Sequence, residues 1–212
     1  MADRDDFCIS WLSESPQNIG KTEMYWALYS VIVDMKRLPN VKQIYLGNGY
    51  RKIVLQETMY YWNEVDGEII LGVELWKKNS VLLVQMLGKN PKYRGKPPYA
   101  IDLYELIIED NENSILRLQS DSKLSEDGIK VWEKLLDDGY DIVVYDIREP
   151  GRIHAHFEAK NDFLQYFGKD PSFINYRFGV FKENMLAECI SQFSIRRIRE
   201  LSGLGTEDYY PD

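Results

Sequence analysis

Cysteine and histidine are scarce in this 212-residue chain, which holds two of each. Cys8 and Cys189 are too few and too far apart for the disulfide framework that staples small secreted domains. They read as small buried hydrophobes rather than redox or metal groups. Long apolar runs are missing too. The most apolar stretch, around residues 81–87, falls far short of the roughly 20 residues that span a bilayer as a helix. The opening Met-Ala-Asp-Arg-Asp-Asp carries acids where a signal peptide needs cations. The expectation is a cytoplasmic protein with no membrane association.

An excess of positive charge is also lacking. Lys and Arg total 26 against 34 Asp and Glu, a net charge of −8. A domain that neutralises many phosphates is usually basic, so nucleic acid is disfavoured as a partner. Arg196, Arg197 and Arg199 sit beside Glu188 and Glu200 and read as a solvated helix face. No Gly-x-Ser-x-Gly, P-loop or Cys-x-x-Cys occurs, which weakens serine-hydrolase, nucleotide-triphosphatase and zinc-ribbon readings. His154-Ala155-His156 puts two imidazoles on one side of a short extended segment. Glu158 is near, but no further ligand is evident in sequence, so the pair reads as a surface feature rather than a metal site.

What is there is an ordinary globular composition, 44% hydrophobic and 28% charged, which excludes wholesale disorder. Aromatics reach 13%, with 15 Tyr and 5 Trp, suiting a core with half-wet edges or a surface that meets a partner. No repeat or linker breaks the chain, so residues 1–212 read as one domain, with a core over about 57–146 and an extension over about 147–212.

A first strand is expected over Phe7–Leu12. Thr22 is a plausible helix N-cap, and Tyr25, Leu28, Tyr29 and Ile32 follow at helical spacing until Pro39. The period then changes. Glu57–Asn63, Glu68–Lys77 and Val81–Leu87 read as an antiparallel meander, with Asp66-Gly67 and Lys77-Lys78-Asn79 as turns. A helix over Tyr99–Glu109, a strand over Ile115–Gln119, a helix over Ser125–Leu136 capped by Gly139, and a strand over Asp141–Tyr145 come next. Asp162–Phe167 reads as a short helix, Asn175–Phe181 as a strand and Glu183–Glu200 as a closing helix. The whole is an α/β fold, part antiparallel and part parallel.

Three local patterns between Met59 and Tyr145 resemble the GNAT acyltransferase superfamily. They are Asp66-Gly67-Glu68-Ile69-Ile70-Leu71-Gly72, Pro91-Lys92-Tyr93-Arg94-Gly95-Lys96, and Trp132-Glu133-Lys134-Leu135 through Gly139-Tyr140. The resemblance implies a GNAT-like mixed sheet, an antiparallel meander plus two splayed parallel strands, flanked by helices and extended by a C-terminal strand and helix. It implies acetyl-coenzyme A or another acyl-coenzyme A between those strands, Val81–Leu87 and Ile115–Gln119. The pyrophosphate would rest against the loop from Arg94 to Ala100, ahead of a helix. Lys92, Arg94, Gly95, Lys96 and Ala100 are the cofactor-binding residues so implied, and the amide of Met86 or Leu87 would polarise the thioester carbonyl.

The chain departs from the family pattern Arg/Gln-x-x-Gly-x-Gly/Ala. Pro97 takes the fourth position and Tyr99 the last, and two prolines remove two N–H donors that charge on Lys92, Arg94 and Lys96 would have to replace. Trp132 stands where many members carry an acid tyrosine. The candidate bases are Glu74, otherwise a solvated strand face, and Asp121, otherwise part of a helix-cap region with Ser122 and Ser125. Gln119 through Ser125, with Gly128 and Trp132-Glu133, also looks like GNAT-like proteins of tailed bacteriophages. Two functions follow as expectations. One is an acyl-coenzyme-A-dependent N-acyltransferase acting on an amine of a small molecule or protein. The other is a catalytically inactive phage protein in the host cytoplasm that binds a host or virion protein.

Overall fold

The computed structural model describes residues 21–180 apart from 79–80, 113–116, 121–123, 150–151 and 169–170. The chain divides into two units, Met1–Val180 and Phe181–Asp212. The expected strand at Phe7–Leu12, the closing helix at Glu183–Glu200, Cys8, Cys189 and the arginines 196, 197 and 199 lie outside the described residues.

Among the described residues, nine strands form one mixed sheet in the order β1-β2-β3-β4-β5-β6-β9-β7-β8. They are β1 (Gln43–Gly47), β2 (Tyr50–Val54), β3 (Thr58–Val65), β4 (Glu68–Lys78), β5 (Val81–Lys89), β6 (Arg117–Gln119), β7 (Ile142–Asp146), β8 (Ile153–His156) and β9 (Tyr176–Val180). β1 to β5 run as a continuous antiparallel meander. β5 and β6 are the one parallel pair among the described strands, and β9 returns between β6 and β7. The three expected meander strands are present, each running one or two residues further at its C-terminal end, with β3 starting one residue later than expected, at Thr58. The β1–β2 hairpin and β8 are additions to the expected order. The short helix expected near Asp162 is a 3-10 segment, Lys160–Gln165.

Among the described residues, three α-helices flank the sheet: α1 (Lys21–Arg37), α2 (Ala100–Asp110) and α3 (Glu126–Asp137). Alternation along β3 shows why both faces are covered. Met59 and Tyr61 join the core beneath α2 and α3, whereas Tyr60 and Trp62 join Tyr25, Leu28 and Ile32 of α1. A period of two thus delivers apolar side chains to each side of a sheet sandwiched between helices. α3 starts where Ser125 Oγ accepts the Gly128 N–H at 3.0 Å, and it stops at Gly139, whose φ of +92° suits glycine.

α1 sits very close to the sheet. A Cβ added to Gly88 of β5 would lie 2.8 Å from Tyr25 Cα, and one on Gly72 of β4 would meet Leu28 and Ile32 at 3.2 Å. The Tyr25 hydroxyl donates to the Ile69 carbonyl at 2.8 Å, which satisfies a buried phenol. Burial is the main reason the Tyr25 pKa is pushed up to about 12. Among the described residues, no helix is long and apolar enough to cross a membrane.

Candidate functional site

The parallel pair is short. Val81, Leu82 and Leu83 face Arg117, Leu118 and Gln119, and there the pairing ends. Past Gln119 the chain turns toward β9: the Ser120 N–H donates to the Phe178 carbonyl at 2.7 Å, and the Phe178 N–H donates to Ser120 Oγ at 2.9 Å. β5 meanwhile continues through Val84–Lys89 with β4 as its one strand partner among the described residues. The register places Glu74 opposite Met86 but Leu75 opposite Val84, so Gln85 is an extra residue, a β-bulge. A bulge bends its strand and strengthens the local twist. The two parallel strands therefore separate beside Met86 and Leu87, the residues expected to face the thioester. Met86 leans into the α1 cluster and Leu87 into the core on the opposite face.

The loop between β5 and α2 begins at Asn90, which is buried. Its N–H donates to the Ile70 carbonyl at 2.8 Å, its Oδ1 accepts the Lys92 N–H at 3.0 Å, and its Nδ2 donates to Glu68 Oε1 at 2.9 Å. Pro91–Tyr93 then makes one 3-10 turn. Each expected cation has a definite setting. Lys92 pairs with Glu68 at 3.1 Å, and the Arg94 guanidinium donates to the Thr22 hydroxyl of α1 at 2.8 Å. Gly95 has φ +73°, with no atom within 4 Å of where a Cβ would stand. The Lys96 side chain is exposed, while its carbonyl accepts from the ammonium of Lys89. Ala100 is the first residue of α2. Just before it, the Tyr99 N–H donates to Asp102 Oδ2 at 2.6 Å.

Lys89 is a candidate that the fold brings to this loop. Its ammonium lies 4.9 Å from the centre of the Tyr99 ring, a cation–π distance, and burial lowers its pKa while Asp102 acts the other way. The only sequence hint is a cation closing an apolar strand ahead of Asn-Pro. Glu68 is a second residue found by geometry. Its pKa is lowered, first by the Asn90 hydrogen bond and then by that of Lys92.

Of the two candidate bases, Glu74 is half-buried on β4, and its Oε1 accepts the indole N–H of Trp76 at 3.0 Å. Asp121 lies outside the described residues. Trp132 is fully buried between Tyr104 and Phe178, and its indole nitrogen has no hydrogen-bond partner among the described residues. It is a core residue. Tyr145 is buried as well. Its hydroxyl accepts from Arg117 at 3.2 Å, and the guanidinium carbon lies 4.3 Å from its ring centre. Gly179 of β9 pairs with both Gln119 and Val143, and a Cβ on it would lie 2.9 Å from the Tyr145 ring, so this tyrosine sits toward the end of the parallel pair where the strands part, with Arg117 reaching up to it.

His154 and His156 are exposed on the edge strand β8. His156 Nδ1 lies 3.1 Å from Asp141 Oδ1, and His154 packs against the rings of Tyr166 and Tyr176. Beside them an open depression of about 310 Å³ is lined by residues including His156, Glu158, Asp162 and Tyr166. Its Asp162 carboxylate is already taken by the N–H groups of Glu158 and Ala159. No group of three or more His, Cys, Asp or Glu able to hold a metal occurs among the described residues.

No family model matches the sequence, and no curated protein matches it. Among solved structures, an acetoin utilization protein from Exiguobacterium sibiricum is similar at 17% identity, over 70% of this chain and 73% of that one, with a TM-score of 0.39. Likeness at that level assigns neither family nor activity, so the GNAT resemblance rests on the residues that carry it.

Proposed function

We propose that the protein is an acyl-coenzyme-A-dependent N-acyltransferase with a GNAT-like sheet. One observation carries the reading. The parallel strands β5 and β6 part after Leu83 and Gln119, and β5 runs on past a bulge at Gln85 with no strand beside it on that side among the described residues. Backbone N–H and C=O groups on an unpaired strand edge offer hydrogen bonds to an extended ligand carrying amides of its own.

The surroundings fit such a ligand. Gly95 faces open space, and Lys89, Lys92, Arg94 and Lys96 gather around the following loop, where cations hold phosphate without backbone donors. Pro97 and Pro98 supply no N–H there, and Asp102 adds an adverse charge, so the side chains bear the anion binding. In the reaction, a deprotonated amine attacks the thioester carbonyl. A β5 amide near Met86 or Leu87 stabilises the oxygen as charge develops, and Glu74 or a held water takes the amine proton.

A second reading is a GNAT-fold protein without catalysis that binds a host or virion protein. It is favoured by the loop's own contacts: Arg94 is engaged by Thr22 and Lys92 by Glu68, so the protein itself closes on two of the expected phosphate ligands. Release of free thiol from acetyl-coenzyme A in the presence of a mixture of primary amines separates the two. Amine-dependent release supports transfer. A rate equal to that without protein favours the binding reading.

A further inference from the structure

Glu74 and Trp76 stand two residues apart on β4, on the sheet face that carries α1. Tyr60 and Met86, the register partners of Glu74, both belong to the α1 cluster. Glu74 Oε1 is held by the Trp76 indole N–H, while Oε2 bonds to none of the described residues. Trp76 is 44% exposed. Its partner across the strand is Leu83, which closes the parallel pair with Gln119. A half-buried carboxylate with one oxygen unbonded among the described residues, an exposed indole and the apolar Met86 and Leu83 thus lie together at the level where β5 and β6 part.

We infer that the acyl acceptor is an unbranched primary alkylammonium, with its cation between the Glu74 carboxylate and the Trp76 ring and its stem along Met86 and Leu83. This inference rests on the acyl-transfer reading. An ammonium satisfies the open oxygen, and its charge is attracted to the face of an aromatic ring. An aromatic amine is uncharged near neutral pH and gains neither interaction. An α-amino acid brings a carboxylate that Glu74 repels. Lys78, two residues beyond Trp76 on the same strand face, disfavours a second cation, so a monoamine fits better than a diamine.

Bound as the cation, the acceptor passes one proton to Glu74 or water. The freed lone pair forms the C–N bond, the C–S bond breaks, and the departing thiolate takes up the second of the three ammonium protons. The products are the amide, free thiol and one proton released to solvent. Trp76 acts as a positioning and specificity residue, and Glu74 as the group that meets the amine.

The test measures thiol release from acetyl-coenzyme A by the full chain with 1-aminobutane, 1,4-diaminobutane, glycine or aniline. The expected kcat/KM for 1-aminobutane exceeds that for each of the others by about tenfold or more. Trp76→Leu is expected to raise its KM about tenfold while kcat stays within about threefold, and Trp76→Phe to restore most of the loss because a ring remains. Trp76 is exposed enough for both variants to fold. If the parent chain releases no thiol with any amine and takes up no acetyl-coenzyme A, the acyl-transfer reading falls and this inference falls with it. Thiol release without the amine preference, or a Trp76→Leu variant equal to the parent, overturns the inference alone.

Discussion

The Arg94 guanidinium donates to the Thr22 hydroxyl at 2.8 Å, tying the loop before α2 to the first turn of α1. In the acyl-transfer account this cation has two suitors, the hydroxyl and a ligand phosphate, and the phosphate wins because it brings an opposite charge and accepts two parallel bonds from the guanidinium fork, where the neutral hydroxyl accepts one. Arg94→Ala is expected to weaken acetyl-coenzyme A binding about tenfold, which corresponds to about 1.4 kcal/mol. Thr22→Val, which releases the arginine, should leave affinity unchanged or improve it. Calorimetric Kd values for the two variants check this, and equal weakening by both would mean that the contact shapes the loop rather than competing for it.

Gly88 answers to α1. A Cβ there would come 2.8 Å from Tyr25 Cα, a backbone atom that moves only with the helix. Gly88→Ala is therefore expected to lower stability by about 1–3 kcal/mol, as overpacking does. Urea unfolding followed by tryptophan fluorescence measures the loss, and a midpoint equal to that of the parent would mean α1 shifts freely.

Trp132 separates resemblance from chemistry. Its ring fills the core between Tyr104 and Phe178, and its N–H has no partner among the described residues. Trp132→Ala should cost about 3–5 kcal/mol of stability. Activity per folded molecule should stay unchanged, because the indole is fully buried and reaches neither solvent nor a ligand. Turnover corrected for the folded fraction tests this; a fall in kcat in a fully folded Trp132 variant would return the residue to the site.

Asp146 supplies a pH-dependent contribution. Arg148 meets its carboxylate through Nε at 2.9 Å and Nη2 at 2.5 Å, and the Arg148 N–H adds a bond at 2.9 Å. These bonds hold the Asp146 pKa down to about 2, below the usual 3.8. A depressed carboxyl stabilises the fold above its unfolded pKa, and that contribution is lost as pH falls through the folded value. Arg148→Met should thus lower the melting temperature by a few degrees at pH 7. The gap to the parent should narrow between about pH 4 and pH 2, and a gap independent of pH would assign the effect to packing instead.

The sequence exposed some of this structure and hid the rest for identifiable reasons. Asp66-Gly67 announced the β3–β4 turn, and both residues take positive φ, as a two-residue hairpin turn requires. Asn48-Gly49 makes the same kind of turn, with φ of +49° and +79°. Its hairpin was missed because β1 and β2 are five residues each and polar at several positions, so no period of two stands out. The helices were legible, since Tyr25, Leu28 and Ile32, or Ile129, Trp132 and Leu135, repeat at helical spacing and are all buried.

The site was only half legible. Residue type and order pointed to Lys92, Arg94 and Glu74. Nothing in one dimension revealed the extra residue at Gln85, which depends on register between strands, or that Lys89 folds back onto the loop, which depends on the path of the chain after β5. The partners of Arg94 and Lys92 were hidden for the same reason, since Thr22 and Glu68 are far away in sequence.

The central claim is that the separated strands and the cationic loop take acyl-coenzyme A. Calorimetric titration of the protein with acetyl-coenzyme A and with free coenzyme A tests it most directly. The account predicts saturable binding of both near micromolar Kd, about −8 kcal/mol, weakened in Arg94→Ala. No heat of binding with millimolar ligand would contradict it and leave the site to a protein partner.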